Sequence, residues 1–353
     1  MINQLSDFRG KKILVTGHTG FKGAWLSRTL VLSGAEVHGL ALAPESGSIY
    51  SRISDLGIQS STIMDIRNRK DVNEYFVDKK FDGVFHLAAQ PLVLKSYKEP
   101  VETFETNVMG TAHILDSIIS NDAARWVLVI TTDKVYKNIE VEEGYSEEDA
   151  LGGKDPYSAS KSATEMVVNA WRAIADHKQS GLAICAVRAG NVIGGGDVAK
   201  DRLVPDLIRS FKGNIPAVIR NPSSLRPWQH VLDPISGYLT IGKQLMSGKS
   251  VASAYNFGPA DESRLNVEDM AKVACSIWVG NAGYVVRSDP QQPPESVLLW
   301  LSSERANNDF GWTNKLDAAS AIRWTIEWEK KSNETDAKAA IDFQINQFFE
   351  GSV

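Results

Sequence analysis

The sequence predicts an α/β protein with a doubly wound parallel sheet, and three observations point there. Short apolar, β-branched runs alternate with longer helical patterns through the first half of the chain. The runs are continuously apolar rather than alternating, as strands buried on both faces are. The first run ends in a glycine-rich turn that opens the first helical stretch, the arrangement of a nucleotide-binding sheet.

The elements follow in order. Residues 12–16 (KILVT) form strand one. Residues 24–33 have helical periodicity, and Gly34 just beyond them is a C-terminal cap. Residues 36–41 (EVHGLA) form strand two, 83–88 (GVFHLA) and 126–131 (WVLVIT) two more, and 184–188 (ICAVR) another, with helices between. Beyond Arg188 the pattern loosens. Gly, Pro and Arg rise through 194–228, and QQPPES at 291–296 reads as a loop. The predicted division is a dinucleotide-binding domain over 1–188, rejoined by parts of 225–260. Residues 189–353 form mainly a smaller α+β substrate lobe. No internal repeat or low-complexity tract interrupts the chain.

Composition narrows the partners. The 353 residues suffice for one large domain or two ordinary ones, and 43% hydrophobic with 23% charged is a soluble globular balance. A formal net charge of -5 supplies no basic field for nucleic acid. Cys185 and Cys275 match no metal or redox spacing, so free thiols in a reducing compartment are expected. The N-terminal MINQLSDFRGKK lacks an apolar signal core, and no apolar run reaches the roughly 20 residues of a membrane span. A cytoplasmic location without membrane contact is the expectation.

Two local patterns carry chemistry. TGHTGFKG at 16–23 spaces Gly17, Gly20 and Gly23 after strand one and before helix one. There a dinucleotide pyrophosphate can approach backbone N–H groups at a helix N-terminus; a plain Gly-rich turn is the bland alternative. The end of strand two leaves NAD against NADP open. LALAPES offers only Glu45 for the adenosine ribose, and no arginine follows immediately. Asp65 in MDIR either contacts adenine or caps a helix. In PYSASK, Tyr157 and Lys161 stand four apart and meet on one helix face. A free tyrosine, with a pKa near 10, is a poor base, and a neighbouring ammonium favours its phenolate.

The order TGHTGFKG, HLAAQ (86–90), NVMGT (107–111), TTDK (131–134) and YSASK (157–161) resembles the extended short-chain dehydrogenase/reductase superfamily, whose sheet is of the Rossmann type. Four further stretches resemble the nucleotide-sugar 4,6-dehydratases of the CDP-glucose branch. They are GHTGFKGAWLS (17–27), RAGNVIGGGD (188–197), DRLVPD (201–206) and IRNPSSLRPWQHVLDPISGYL (219–239).

The resemblance implies NAD as a cofactor recycled within one turnover. Gly17, Gly20, Phe21, Lys22 and Gly23 would hold its pyrophosphate end. Asp65 and Ile66 would lie near adenine, and Leu87, Ala88 and Ala89 would line the cofactor. Asn107 would support the site from the next helix, and Lys161 would bond the nicotinamide ribose. Tyr157 would take the C4 hydroxyl proton as hydride leaves C4. Water would then be lost across C5 and C6, and hydride would return to C6.

The elimination needs an acid and a base side by side. The better-known relatives carry Asp-Glu there; this chain carries Asp133-Lys134, as the CDP-glucose branch does. Asp133 is the candidate acid for the C6 oxygen. Lys134 is the candidate for the C5 proton, either as a neutral base or as a charge stabilising the enolate. Thr132 would hydrogen-bond the C4 oxygen. A solvated strand-end ion pair, worth well under about 1 kcal/mol, is the plain alternative.

Arg202, Arg220 and Arg226 suit the substrate pyrophosphate, because an arginine fork donates two parallel bonds. Gln90, Asn191 and His230 complete the expected substrate contacts, and Trp228 would help shape the pocket. Trp324 and Trp328, four apart, read as core. A 4-epimerase or another nucleotide-sugar dehydratase is the nearest alternative activity, and a non-catalytic NAD(P)-binding regulator the more distant one. The superfamily implies a homodimer, paired through two helices per subunit.

Overall fold

Seven parallel strands build the central sheet of the computed structural model, which describes residues 2–53, 55–260, 263–280, 282–287, 298–334 and 336–351. The chain runs β1 (Lys12–Thr16), α1 (Phe21–Leu32), β2 (Glu36–Ala41), α2 (Ile49–Arg52), β3 (Ser60–Ile63), α3 (Arg69–Phe76) and β4 (Gly83–His86). Then come α4 (Val93–Lys98), α5 (Pro100–Phe104), a π-helical turn Glu105–Met109, α6 (Gly110–Ser120), β5 (Trp126–Ile130), a 3-10 turn Asp133–Val135, α7 (Pro156–His177) and β6 (Ala183–Ala189). Beyond it lie β7 (Val192–Ile193), α8 (Leu203–Lys212), β8 (Ala217–Ile219), β9 (Leu225–Pro227), β10 (Gln229–His230), α9 (Leu232–Met246) and β11 (Ala254–Phe257). The chain finishes with β12 (Arg264–Asn266), α10 (Val267–Trp278), β13 (Tyr284–Val286), α11 (Glu304–Phe310), α12 (Ala318–Glu334) and α13 (Ala337–Glu350). The QQPPES stretch lies outside the described residues.

The strand order is β11-β6-β5-β4-β1-β2-β3. Order reverses between β1 and β4, so a crevice opens at their C-terminal ends, where ligands of such sheets sit. The registers Thr16↔His86 and Val15↔Phe85 bring those ends level. Thr131 N donates to Val187 O just past the end of β5.

One face of the sheet packs on α1, α9 and the C-terminal α13, with Trp25, Phe85, Trp126, Tyr238 and Phe348 all but wholly buried. Burying a Phe85-sized side chain stabilises by about 1.5–3 kcal/mol. The other face packs on α3, α6 and α7 through Val72, Ile114, Ile118 and Val168. A separate cluster of Val204, Leu207, Phe211, Met270 and Ile322 joins α8, α10 and α12. Trp324 and Trp328 are core, as expected, but they belong to the sheet's cluster rather than to this second one. Chain beyond 188 therefore serves both clusters.

Three details differ from the sequence reading. Helix α1 starts at Phe21, three residues early, because Gly20 is its N-cap. β3 is polar and short, and β11 enters only after a long excursion. Neither announces itself by periodicity. Glu329 on α12 is 3% exposed. It accepts from Arg52 Nη1 at 3.0 Å, Lys212 Nζ at 2.6 Å and the Gly196 amide at 2.8 Å. No helix among the described residues is long and apolar enough to cross a membrane.

Candidate active site

The glycine turn forms the floor of the crevice. Gly17 has φ +75°, and a Cβ there would lie 2.8 Å from the Ala88 amide nitrogen. A Cβ on Gly23 would lie 2.1 Å from Gly17 O. The turn thus closes directly on the backbone of α1, whose N-terminus carries no side-chain cap. Bare amides at a helix start suit a pyrophosphate, so the residues present fit a dinucleotide.

A hydrogen-bonded chain braces this floor. Thr16 Oγ1 accepts the Leu87 and Ala88 amides, both at 3.1 Å, and donates to His86 Nδ1 at 2.8 Å. His86 Nε2 then donates to Thr111 Oγ1 at 3.0 Å, and Thr111 donates to Asn107 O at 2.7 Å. This sequence of donors holds His86 neutral; burial lowers its pKa to about 3. Asn107 sits in the π-helical turn. Its Oδ1 accepts the Gln90 amide at 2.8 Å, and its Nδ2 donates to Ser160 on α7. Thr16 and His86 each open a motif, TGHTGFKG and HLAAQ, but the sequence reading gives neither a role there.

Where adenine is expected, Ile66 is buried against Gly110. Asp65 is gripped by Arg67 at 2.6 Å, and that hydrogen bond lowers its pKa. Asp65 is not a helix cap: Asn68 caps α3 by accepting the Asp71 amide. Ala89 follows the braced amides, half-buried, and Phe21 packs beside the sheet's core. Glu45 is exposed.

Tyr157 and Lys161 share one face of α7, both buried. The expectation of an acidified phenol is not met here. Burial pushes Tyr157 up to about 12; the nearby Thr132 hydroxyl pulls down, and the Asp133 charge pushes up. Lys161 is lowered to about 8 by the same desolvation, opposed by Glu165, and donates to Ile130 O at 3.2 Å. Where a lysine is itself dehydrated, its help to a neighbouring phenol is offset by the phenol's own burial.

The TTDK segment leaves β5 as an extended Thr132 followed by the 3-10 turn. Thr132 donates to Asp133 Oδ1 at 2.8 Å, and Asp133 is buried. Lys134 is half-buried, and among the described residues its ammonium makes no hydrogen bond or ion pair. Lys22 reaches in from α1 and donates to Tyr238 OH at 3.2 Å. Burial, with the Arg202 and Lys161 charges, lowers its pKa to about 7 against the opposing pull of Asp133. Charges from α1, α7, the head of α8 and the 133 turn therefore share one field.

The expected substrate contacts divide. Arg202 precedes α8 and pairs with Asp197 at 3.1 Å, while Arg220 pairs with Asp201 at 3.0 Å. Asn191 is half-buried between β6 and β7. Arg226 lies on β9, donating to Leu225 O. His230 is a correction: it is fully buried in the core, with Trp25 at 5.8 Å and Trp324 at 5.6 Å between ring centroids. Trp228 is likewise core, donating to Leu265 O. Gln90 is a second correction. Its amide donates to Leu92 O and Thr103 Oγ1, and its Oε1 accepts the Leu92 amide, so its polar atoms are occupied by its own loop and by α5.

A sequence profile described as the NAD dependent epimerase/dehydratase family matches residues 13–258. The chain is 42% identical over 329 residues to the CDP-glucose 4,6-dehydratase of Salmonella typhimurium, covering 92% of this chain and 91% of that one. It is 26% identical to a probable dTDP-glucose 4,6-dehydratase of Sinorhizobium fredii, over 90% and 92% of the two chains. Among solved structures, the dTDP-glucose 4,6-dehydratase DesIV of Streptomyces venezuelae, with NAD and TYD bound, matches with a TM-score of 0.77. That match covers 92% and 98% of the chains at 20% identity, which speaks to the fold.

Proposed function

The chain belongs to the NAD dependent epimerase/dehydratase family, and from that membership we propose that it is a hydro-lyase converting CDP-glucose to CDP-4-keto-6-deoxyglucose. One observation carries the reading beyond the family: an acid and an amine, Asp133 and Lys134, sit on a turn packed against the helix that carries Tyr157, with Asp133 accepting the Thr132 hydroxyl and its charge felt by Tyr157. An epimerase needs the Tyr–Lys pair and has no use for an elimination pair.

The cofactor is NAD, held by Gly17, Gly20, Phe21, Lys22 and Gly23 with Asp65, Ile66, Leu87, Ala88 and Ala89 along its length; bound there, it supplies a hydride acceptor and later a hydride donor. Tyr157 takes the proton of the C4 hydroxyl, and Lys161 stabilises the phenolate. Thr132 holds the C4 oxygen. The C4 ketone acidifies the C5 proton, which Lys134 removes or whose enolate it stabilises. Asp133 protonates the C6 oxygen, the C6–O bond breaks and water leaves. Asn191, Arg202, Arg220 and Arg226 take the substrate's diphosphate end, in a lobe built mainly from the chain after 188.

We extend the reading to a homodimer in the cytoplasm. Its support is an apolar face: Val101 and Phe104 on α5, Met109 in the π-helical turn and Met166 on α7 are all exposed. Large exposed apolar patches mark interaction sites.

Incubation of the purified protein with CDP-glucose and NAD tests the activity. The expected product absorbs in alkali as a 4-keto-6-deoxy sugar and has lost one water by mass. Product from a UDP- or dTDP-sugar but none from CDP-glucose would overturn the substrate and keep the mechanism.

A further inference from the structure

We propose that Glu165 and Arg188 are positioning residues, a buried clamp on both ends of the 131–136 turn that fixes how Asp133 and Lys134 meet the substrate. The proposal rests on the dehydratase reading above for its chemistry, and on the following geometry for its existence.

Thr131, the residue before the turn, donates its hydroxyl to Glu165 Oε1 at 2.6 Å. Arg188 Nε and Nη2 donate to the two oxygens of Glu165 at 2.9 and 3.0 Å, a two-pronged fork. The third nitrogen, Nη1, donates to Tyr136 OH at 2.7 Å, at the far end of the turn. Tyr136 passes its own proton to Asn256 Oδ1 on β11 at 2.8 Å, and its ring lies 5.0 Å from the guanidinium carbon. One ion pair thus ties the residue before Thr132 and the residue after Val135 to three separate elements: α7, β6 and β11.

The pair is too buried to be a surface accident. The side chains of Arg188 and Glu165 are 5% and 3% exposed. A buried ion pair is often no more stabilising than apolar residues of the same volume, so its presence is better explained by what it orients. Its position fits that role. Glu165 is one helical turn beyond Lys161 and two beyond Tyr157 on α7, so the helix carrying the proton acceptor also anchors the turn carrying the elimination pair. The Glu165 charge also favours the Lys161 ammonium. Misplacing a reacting group by about 1 Å can cost on the order of a hundredfold in rate.

Deleting Glu165 or Arg188 outright would strand a buried charge and can unfold the protein, so the test cuts the ties at their far ends. Thr131→Val and Tyr136→Phe each remove one hydroxyl and leave the ion pair intact. With CDP-glucose, kcat is expected to fall about tenfold to a hundredfold in each, with KM shifted by less than about threefold. Thr131→Ser, which keeps the hydroxyl, should recover kcat to within about threefold of wild type. Amide hydrogen exchange, measured without substrate, should quicken in residues 131–136 of both variants and stay unchanged in α13. Unchanged kcat and unchanged exchange in the turn, with only a lower Tm, would overturn the clamp. If wild type makes no product from any nucleotide sugar, the functional reading fails instead, and the exchange measurement alone decides the clamp.

Discussion

Lys134 is the residue on which the proposed chemistry divides. Tyr157 and Lys161 would serve C4 oxidation in an epimerase as well as in a dehydratase, whereas Lys134, an amine without an ion-pair partner among the described residues and next to the buried Asp133, is assigned by the proposal to the elimination. Lys134→Gln should lower overall turnover by about 10²-fold, the usual worth of one positioned proton-transfer group. Single-turnover C4 oxidation, followed as reduced cofactor, should stay within about threefold of wild type. Equal losses in both steps would remove Lys134 from the elimination. At this scale the sequence was legible where spacing alone decides proximity. Tyr157 and Lys161 are one helical turn apart, and Thr132 to Lys134 are consecutive. It was not legible for His230 and Gln90. A polar side chain faces a pocket or a core according to which distant residues pack on it, and Trp25 and Trp324 lie far from His230 in the chain.

Among the elements, α5, the π-helical turn and α7 pack on one another and leave Val101, Phe104, Met109 and Met166 exposed together. In a two-fold interface each residue occurs twice. In the proposed homodimer Val101→Glu would bury two carboxylates, so sedimentation velocity should show a dimer for the wild type and a monomer for the variant. A variant that stays dimeric would relocate the interface. The sheet's central strands were readable because they are buried on both faces and so are apolar throughout. β3, with alternating exposure, and β11, only four residues long, became strands through pairing partners the local sequence does not reveal. The proposed clamp of Arg188 and Glu165 is of the same kind: Arg188 ends an apolar strand and opens RAGNVIGGGD, but nothing local pairs it with Glu165.

For the whole molecule, three buried histidines set an acid limit. Burial lowers His18 to about 4 and His86 and His230 to about 3. Each is neutral in the fold and protonates below about 6.5 in the unfolded chain. The unfolded state then binds more protons, so stability falls as pH drops from about 6.5 toward the folded values, by up to about 1.4 kcal/mol per unit for each histidine. Urea unfolding between pH 6 and pH 4 should show that slope, and His230→Gln should reduce it; an unchanged slope would exclude His230 as a contributor. Glu329 acts in the opposite sense of charge. Burial alone would raise its pKa, yet Lys212, Arg52 and the Gly196 amide hold it below the usual value. Its ties run to α2 beside the sheet, to α8 in the second cluster and to the loop between β7 and α8. The two hydrophobic clusters consequently share a fastener, and calorimetry should record a single endotherm for the wild type. Glu329→Gln removes the charge that Arg52 and Lys212 share and should split that endotherm in two. If the clusters melt together, the chain after 188 cannot be exchanged like a cartridge: any chimera that swaps it must carry its own partner for Arg52.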